Sequence, residues 1–411
     1  MTCMSTEATA TAAVGVAGWS AGGGTQEKPG EADGWMSREG WEWRWAPWLT
    51  VLGAACIVYG VLWDISWHST IGRDTFWTPA HLMIQFGGVL GGCLGGWIIL
   101  ASSFWRRDAW RERTVGMLGF RGPLGAWILV WGAVAMVTSA PFDDWWHDAY
   151  GLDVKILSPP HALLAAGMYA VVTGSVVLVV SDRNRRGGMP ANWMLVLAGG
   201  VQLALASILL TEVSFPNLQR TSTFYLASAA LFPGFLMAAV RQRPVAMSAT
   251  AISVIYMGLL ASMVWLLPLF PGEPKLAPIY NPVTHMVPPA FPLLLVVPGL
   301  LLDGWGALTR RTGGWFGDVL LALGGAVLFC AAFLPVQWYF SGFLLSPAAD
   351  NAFFAGNRYF SYMSSKSWAG RFWGVEDNPV TVGRVGWMLA IALGSSVIGV
   401  LGGRFLSRVR R

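Results

Sequence analysis

Hydrophobic runs of about twenty residues alternate with short polar turns along most of this chain. The apolar stretches fall at roughly 47–67, 80–104, 122–142, 160–181, 191–212, 222–241, 246–270, 287–305, 315–336 and 382–403. A helix of about 20 residues is what the hydrocarbon of a bilayer requires, so each stretch has the length of a span. Helices are the form such stretches take, because an open sheet would leave backbone N–H and C=O groups unpaired in lipid. The pattern predicts an all-α fold: a polytopic transmembrane helical bundle of about ten spans, paired into five hairpins.

The turns sort by charge. Those after every second span are basic: Arg106, Arg107 and Arg113, then Arg183 to Arg186, Arg241 and Arg243, Arg310 and Arg311, and the tail from Arg404 to Arg411. The intervening turns are longer and carry Asp, Pro and aromatic residues instead. Under the positive-inside rule this puts both termini in the cytoplasm and the acidic turns on the outer face, as expected of a multi-pass protein of a bacterial inner membrane. Residues 1–44 are largely polar and rich in Gly, Ala and Thr, with no apolar core of signal-peptide length; they read as a disordered cytoplasmic tail. A polar break opening at Ser181 separates a histidine-bearing membrane domain, 45–182, from a second one, 190–411. The longest connection, about 337–381, is rich in Phe, Tyr, Ser and Asn, and its length suggests a functional or partner-bound loop.

Composition strengthens the membrane reading. Hydrophobic residues make up 55% of the chain and charged ones 12%, about half the charged share of a soluble domain. Many of the 24 Trp, among them Trp105, Trp145 and Trp315, sit beside polar turns, where an amphipathic ring suits the interface. The net charge of +5 comes from the basic turns, so it reports topology and gives no ground for nucleic-acid binding. Cys3, Cys56, Cys93 and Cys330 show no CxxC spacing, which argues against a disulfide framework or a thiolate metal site.

The chain has five His, and four of them fall into one repeated pattern. The first set is Asp64, His68, Asp74 and His81; the second is Asp143, His147, Asp153 and His161. Both read Asp-x3-His-x5-Asp, followed after six or seven residues by a His shortly behind a Pro. Asp and His four apart share one face of a helix. The chain then loops back, and the second His enters in the first turn of the next helix, where Pro is at home. Two ligands from one helix and one from its partner can thus converge on an ion. Two imidazoles and a carboxylate suit copper, zinc or non-haem iron, with coordination positions left open. Isolated intramembrane His and Asp often serve packing or the interface, but two matching registers are a stronger signal, and ionisable groups near membrane depth are costly without a function. Axial haem ligation fits less well, because an Asp precedes each helical His and no Cys-x-x-Cys-His occurs. Asp74 and Asp153 suit either a hydrogen-bonding partner of an imidazole or simple loop solvation.

The run Trp67, His68, Ser69, Thr70, Ile71, Gly72, Arg73, Asp74, Thr75, followed by Thr78, Pro79, Ala80 and His81, resembles the C subunit of the copper membrane monooxygenases, the particulate methane and ammonia monooxygenases. In that subunit an Asp-x3-His-x12-His set binds copper, and it falls here on Asp64, His68 and His81. A second family site, Asn-x3-His-x13-His, falls on Asp143, His147 and His161. The resemblance covers about 45–180 and departs at Asp143, where a carboxylate replaces a neutral amide and would tighten a divalent ion. Short segments of the second half are similar to the A subunit: Tyr280 to Pro288, and Pro335 through Gly342 and the aromatic loop to the last span. In this reading the chain fuses C-like and A-like parts, and His285 is a packing residue.

The resemblance implies a copper-dependent monooxygenase component that activates dioxygen to hydroxylate an alkane, an alkene or ammonia. Asp64, His68 and His81 would form the catalytic site. It also implies a partner bearing a periplasmic cupredoxin-like domain, which no loop here has the length and strand pattern to supply, together with a quinol or other electron donor and a homo-oligomeric assembly. The alternative is an outer-face copper or zinc binder without oxygenase chemistry. A transporter is disfavoured, because the His lie near span ends and deep charges are scarce.

Overall fold

Apolar sequence dictates the helices, and their ends fall where proline, glycine and charge interrupt it. The computed structural model describes residues 45–75, 77–104, 114–151 and 158–410, the side chain of His147 excepted. The predicted tail, 1–44, lies outside them, as do Asp153 and the first basic turn from Arg106 to Arg113. Four long helices come first: α1 (Ala46–Thr70), α2 (Pro79–Phe104), α3 (Leu124–Tyr150) and α4 (Pro159–Arg186). Then follow α5 (Met189–Ile208), a single turn α6 (Thr211–Ser214), α7 (Ser222–Gln242) and α8 (Ser248–Leu266). The last three are α9 (Val296–Leu308), α10 (Gly314–Leu344) and α11 (Val382–Leu406). Between α2 and α3 a small antiparallel ribbon pairs β1 (Val115–Met117) with β2 (Phe120–Gly122). Its turn, Leu118 and Gly119 at φ of 52° and 82°, has the left-handed backbone that two-residue hairpins need. Among the described residues nine helices are long and apolar enough to cross a membrane, which marks a multi-pass membrane protein.

The stretch at 287–305, expected as a helical span, is built differently. Its first part is non-helical, and α9 begins at Val296. Pro288, Pro289 and Pro292 explain this: each lacks an N–H and each disfavours the helical region for its predecessor. The segment still runs the length of the bundle. Val287 is bonded to Ser66 and Thr70 near the end of α1. Asp303, in α9, accepts from Ala249 and Thr250 at the start of α8.

Helices α1 to α4 run up and down in sequence, each antiparallel to the next. Glycine permits their closest approaches. A Cβ on Gly132 of α3 would lie 2.8 Å from the Val171 nitrogen and 2.9 Å from the Gly167 oxygen of α4. We expect Gly132→Leu to prise α3 from α4 and cost about 1–3 kcal/mol, read as a lower unfolding temperature in detergent. Gly96→Leu is the control, since a Cβ there meets nothing within 4 Å; equal melting of both variants would contradict this packing.

The second half departs from simple hairpins. Helix α7 packs chiefly on α11, and the two run parallel: Gly234 meets Ser395 and Gly399, and Ala238 meets Gly403. Ser395 locks the pair, accepting from Gly234 N and donating to the Ala230 carbonyl. Helix α5 lies instead on α4 and α8. So the fifth and sixth spans touch only lightly, because small residues give α7 a closer partner late in the chain. The arginine-bearing ends of α4, α7 and α11 gather at one end of the bundle. There Asp318 of α10 takes Arg241 at 2.8 Å and Arg404 at 2.9 Å, and Asn184 donates to the carbonyls of Leu406 and Val409.

At the other end, helix α10 continues through Pro335 to Leu344, so the long connection spans 345–381. It folds back on its own bundle. Tyr362 N donates to the Ser69 carbonyl, Trp373 N to that of Asn217, and the Tyr359 hydroxyl bonds the Asn217 side chain. Tyr359, Phe360 and Tyr362 are buried by this docking.

Candidate metal centre

The last turns of α1 hold Asp64 and His68 on one face, as the four-residue spacing requires. The helix stops at Thr70, and Ile71 and Gly72 both donate back to the Trp67 carbonyl. Gly72 has φ of 82° and lies against Tyr362, whose hydroxyl a Cβ there would strike. That combination of positive φ and close approach suits glycine alone. The turned backbone is pinned by Lys275 N donating to the Ile71 carbonyl and by the Trp67 indole donating to the Arg73 carbonyl at 3.0 Å. The chain then delivers Asp74 and Thr75 over the end of α1. Thr75 N donates to the Thr78 hydroxyl at 2.9 Å, and α2 opens at Pro79 with His81 in its first turn.

Four side chains meet here: one donor atom from each of Asp64, His68, Asp74 and His81 lies within 4.8 Å of every other. His81 Nε2 is 3.0 Å from Asp64 Oδ1 and 3.4 Å from Asp74 Oδ2. His68 Nε2 is 3.3 Å from Asp74 Oδ2 and 3.9 Å from Asp64 Oδ1. Four donors held at about 2.0–2.1 Å around a tetrahedral ion stand about 3.3–3.4 Å apart, so these spacings need little adjustment to hold one.

Two further observations fit a metal better than a plain ion-pair cluster. Asp64 Oδ1 is buried and accepts no hydrogen bond from a described residue, although His81 Nε2 sits 3.0 Å away. The two atoms stand close without a well-formed hydrogen bond between them, as they would on facing a common ion. Second, His81 Nδ1 lies 2.9 Å from the Thr75 carbonyl. A carbonyl only accepts, so Nδ1 carries the hydrogen; in the neutral ring this leaves the Nε2 lone pair toward the cluster, the arrangement a metal-bound imidazole needs.

Asp74, in the turn, has its carboxyl held below the usual carboxylate range. The hydrogen bond from His68 does most of this, against the opposing effect of burial, and the charges of His68 and His81 add to it. Sequence spacing suggests Asp74 as a partner of an imidazole or a solvated loop residue; the structure turns it inward as a fourth donor. Its matching offset in the two sets is the signal that sequence offers. We expect Asp74→Ala to weaken metal retention about 10–100-fold while leaving the other three ligands in place. Titration with copper under a competing chelator measures this, and unchanged retention would return Asp74 to the role of a solvated loop residue.

The second set is built alike from α3 and α4. Asp143 and His147 lie in the last turns of α3, and His161 lies in the first turn of α4 behind Pro159 and Pro160. Ser158 caps that helix, its hydroxyl accepting from His161 N at 3.4 Å. His161 Nε2 stands 3.5 Å from Asp143 Oδ1, so the structure brings these two together. The side chain of His147 and all of Asp153 lie outside the described residues. His285 is not among the clustered donors: it is exposed, bonded to Thr284, and paired in a short bridge with Pro271.

Comparison with family profiles, with curated proteins and with solved structures yields no match for this chain.

Proposed function

We propose that this protein is the membrane component of a copper-dependent monooxygenase that hydroxylates a small apolar substrate of the alkane, alkene or ammonia class. The four-donor cluster at one end of an apolar helical bundle carries this reading. Two imidazoles and two carboxylates, borderline nitrogen and hard oxygen donors, suit copper or zinc, and copper is the redox-active choice. Copper held there by Asp64, His68, Asp74 and His81 would supply a reducible centre for dioxygen. The chain's own residues do the positioning: α1 supplies two ligands, the turn one and α2 one, and Thr75 sets the His81 tautomer. His68 is the most open of the four, with 49% of its side chain exposed, so small molecules approach from that side. Asp143, His147 and His161 form the second ion site in this reading, and the Asp143 carboxylate favours tighter retention of a divalent cation than an amide would.

Orientation follows from charge. With the arginine-bearing end in the cytoplasm, the metal cluster faces the outer side, and the segment 287–308 completes a tenth crossing, extended in one half and helical in the other. Reducing equivalents come from a quinol or similar donor. A partner with a cupredoxin-like domain completes the enzyme, in a homo-oligomer of such protomers.

The test is copper analysis with electron paramagnetic resonance on membranes containing the protein, followed by oxygen-uptake assays with quinol and short alkanes, alkenes or ammonia. We expect a copper signal that is lost with the cluster, and oxygen uptake that requires a copurified partner. A protein that purifies alone, holds copper tightly and consumes no oxygen with any reductant would instead be a metal binder without oxygenase chemistry.

A further inference from the structure

On a different face of α1 from the metal cluster, the proline-broken segment lines a partly open cavity of about 80 Å³. Its wall includes Ser66 and Ser69 of α1, Ser207 of α5, Tyr256 of α8, Tyr359 of the returning loop, and the run 287–293. The hydroxyls of Ser66 and Ser207 are already committed, to the carbonyls of Val287 and Ala204. The backbone of the broken segment is not. Its two ends are satisfied: Val287 N donates to Thr70, Leu293 N to the Tyr256 hydroxyl at 3.2 Å, and Leu294 N to the Gln337 side-chain oxygen at 3.2 Å. Between them, no carbonyl from Pro288 to Pro292 accepts a hydrogen bond from a described residue. The segment is also largely shielded from solvent: Val287, Pro288, Phe291, Pro292 and Leu293 are buried.

Such carbonyls are costly inside an apolar bundle when they lack a partner. With three prolines the segment offers mainly acceptors, so it calls for donors. A cation is a poor occupant, because no Asp, Glu or His lines the cavity to balance its charge. An anion would meet the negative ends of the carbonyl dipoles. A neutral hydrogen-bond donor remains. Size limits it further: a dry cavity of about 150 Å³ takes benzene, so this one, of roughly half that volume, suits a guest of about three or four heavy atoms.

We propose that this cavity is a binding site for a small neutral molecule with an apolar body and one hydrogen-bond donor, of the size of a short-chain alcohol, held by the unwound carbonyls of 288–292. It does not require the metal reading, but it lies across α1 from the cluster. A helix is about 10–12 Å wide with its side chains, so the two sites are close neighbours.

The experiment uses the full chain in lipid nanodiscs, with 2-fluoroethanol and its donor-free isostere 1-fluoropropane as probes, followed by fluorine NMR against empty nanodiscs. The expected result is saturable uptake of 2-fluoroethanol at least tenfold tighter than of 1-fluoropropane, in metal-free and metal-loaded protein alike. Ser207→Leu fills the cavity and should abolish that uptake. Ser207→Ala should keep it, since this hydroxyl is bonded within its own helix. Thermal unfolding of each variant in detergent reports folding, and if Ser207→Leu fails to fold, Thr211→Leu carries the same arm. Equal binding of the two probes, or no saturable uptake, would overturn the donor requirement. Uptake undiminished by a folded cavity-filling variant would place the guest elsewhere and overturn the site. A parent protein that binds no copper but takes up the alcohol would count against the metal reading and leave this one standing.

Discussion

Replacing His81 or His68 with alanine is expected to remove the same metal ion, at a cost of more than about a hundredfold in affinity. Each change leaves two carboxylates and a single imidazole, a harder and more anionic set that suits calcium or magnesium better than copper or zinc. The two variants differ in what else they disturb. His81 also anchors the Thr75 turn through Nδ1, so its loss should loosen Asp74 as well, whereas half-exposed His68 has no comparable bond to a backbone carbonyl among the described residues. The His81 variant should therefore lose more affinity. His285→Ala is the control, since its imidazole bonds Thr284 and stands outside the cluster. Copper stoichiometry and the paramagnetic signal, measured side by side for the three variants, decide the matter. Unaltered stoichiometry in both cluster variants would remove His68 and His81 from the ligand set and leave them as hydrogen-bonded interfacial residues.

Much of this arrangement is legible in sequence because it is local. The i, i+4 pair on α1, the proline-led start of α2 and the long apolar runs all follow from periods a few residues long. What escapes such a reading is non-local or set by single residues. Nothing in the spacing says that Tyr362 packs on Gly72, or that Lys275 bonds the carbonyl of Ile71, yet these contacts from the second half shape the turn that aims Asp74 inward. The parallel pairing of α7 with α11 depends on small residues far apart in sequence meeting at one crossing. The eighth apolar stretch carries its own warning against the helical span expected there: Pro288, Pro289 and Pro292 in one short run forbid a regular helix, whatever the hydropathy. Hydrophobicity sets the expectation of a membrane segment; the prolines decide its form.

Acidification should empty the metal centre steeply. Copper or zinc binds the unprotonated imidazole and the ionised carboxylate, so protons compete with the ion at every ligand. Asp74 contributes little to this loss near neutrality, since its hydrogen bond with His68 holds its carboxyl below the usual range and it stays ionised. The two imidazoles dominate. Each costs about tenfold in affinity per pH unit once the pH is below its own midpoint, and two together cost about a hundredfold per unit. The sign is fixed: affinity rises with pH and levels off once both rings are neutral. Removing His68 should halve the logarithmic slope of whatever binding survives, to about tenfold per unit, because one competing proton is gone. Chelator competition at a series of pH values measures both slopes. A parent slope near tenfold would mean that a single imidazole binds the ion, and a flat profile would mean that neither does.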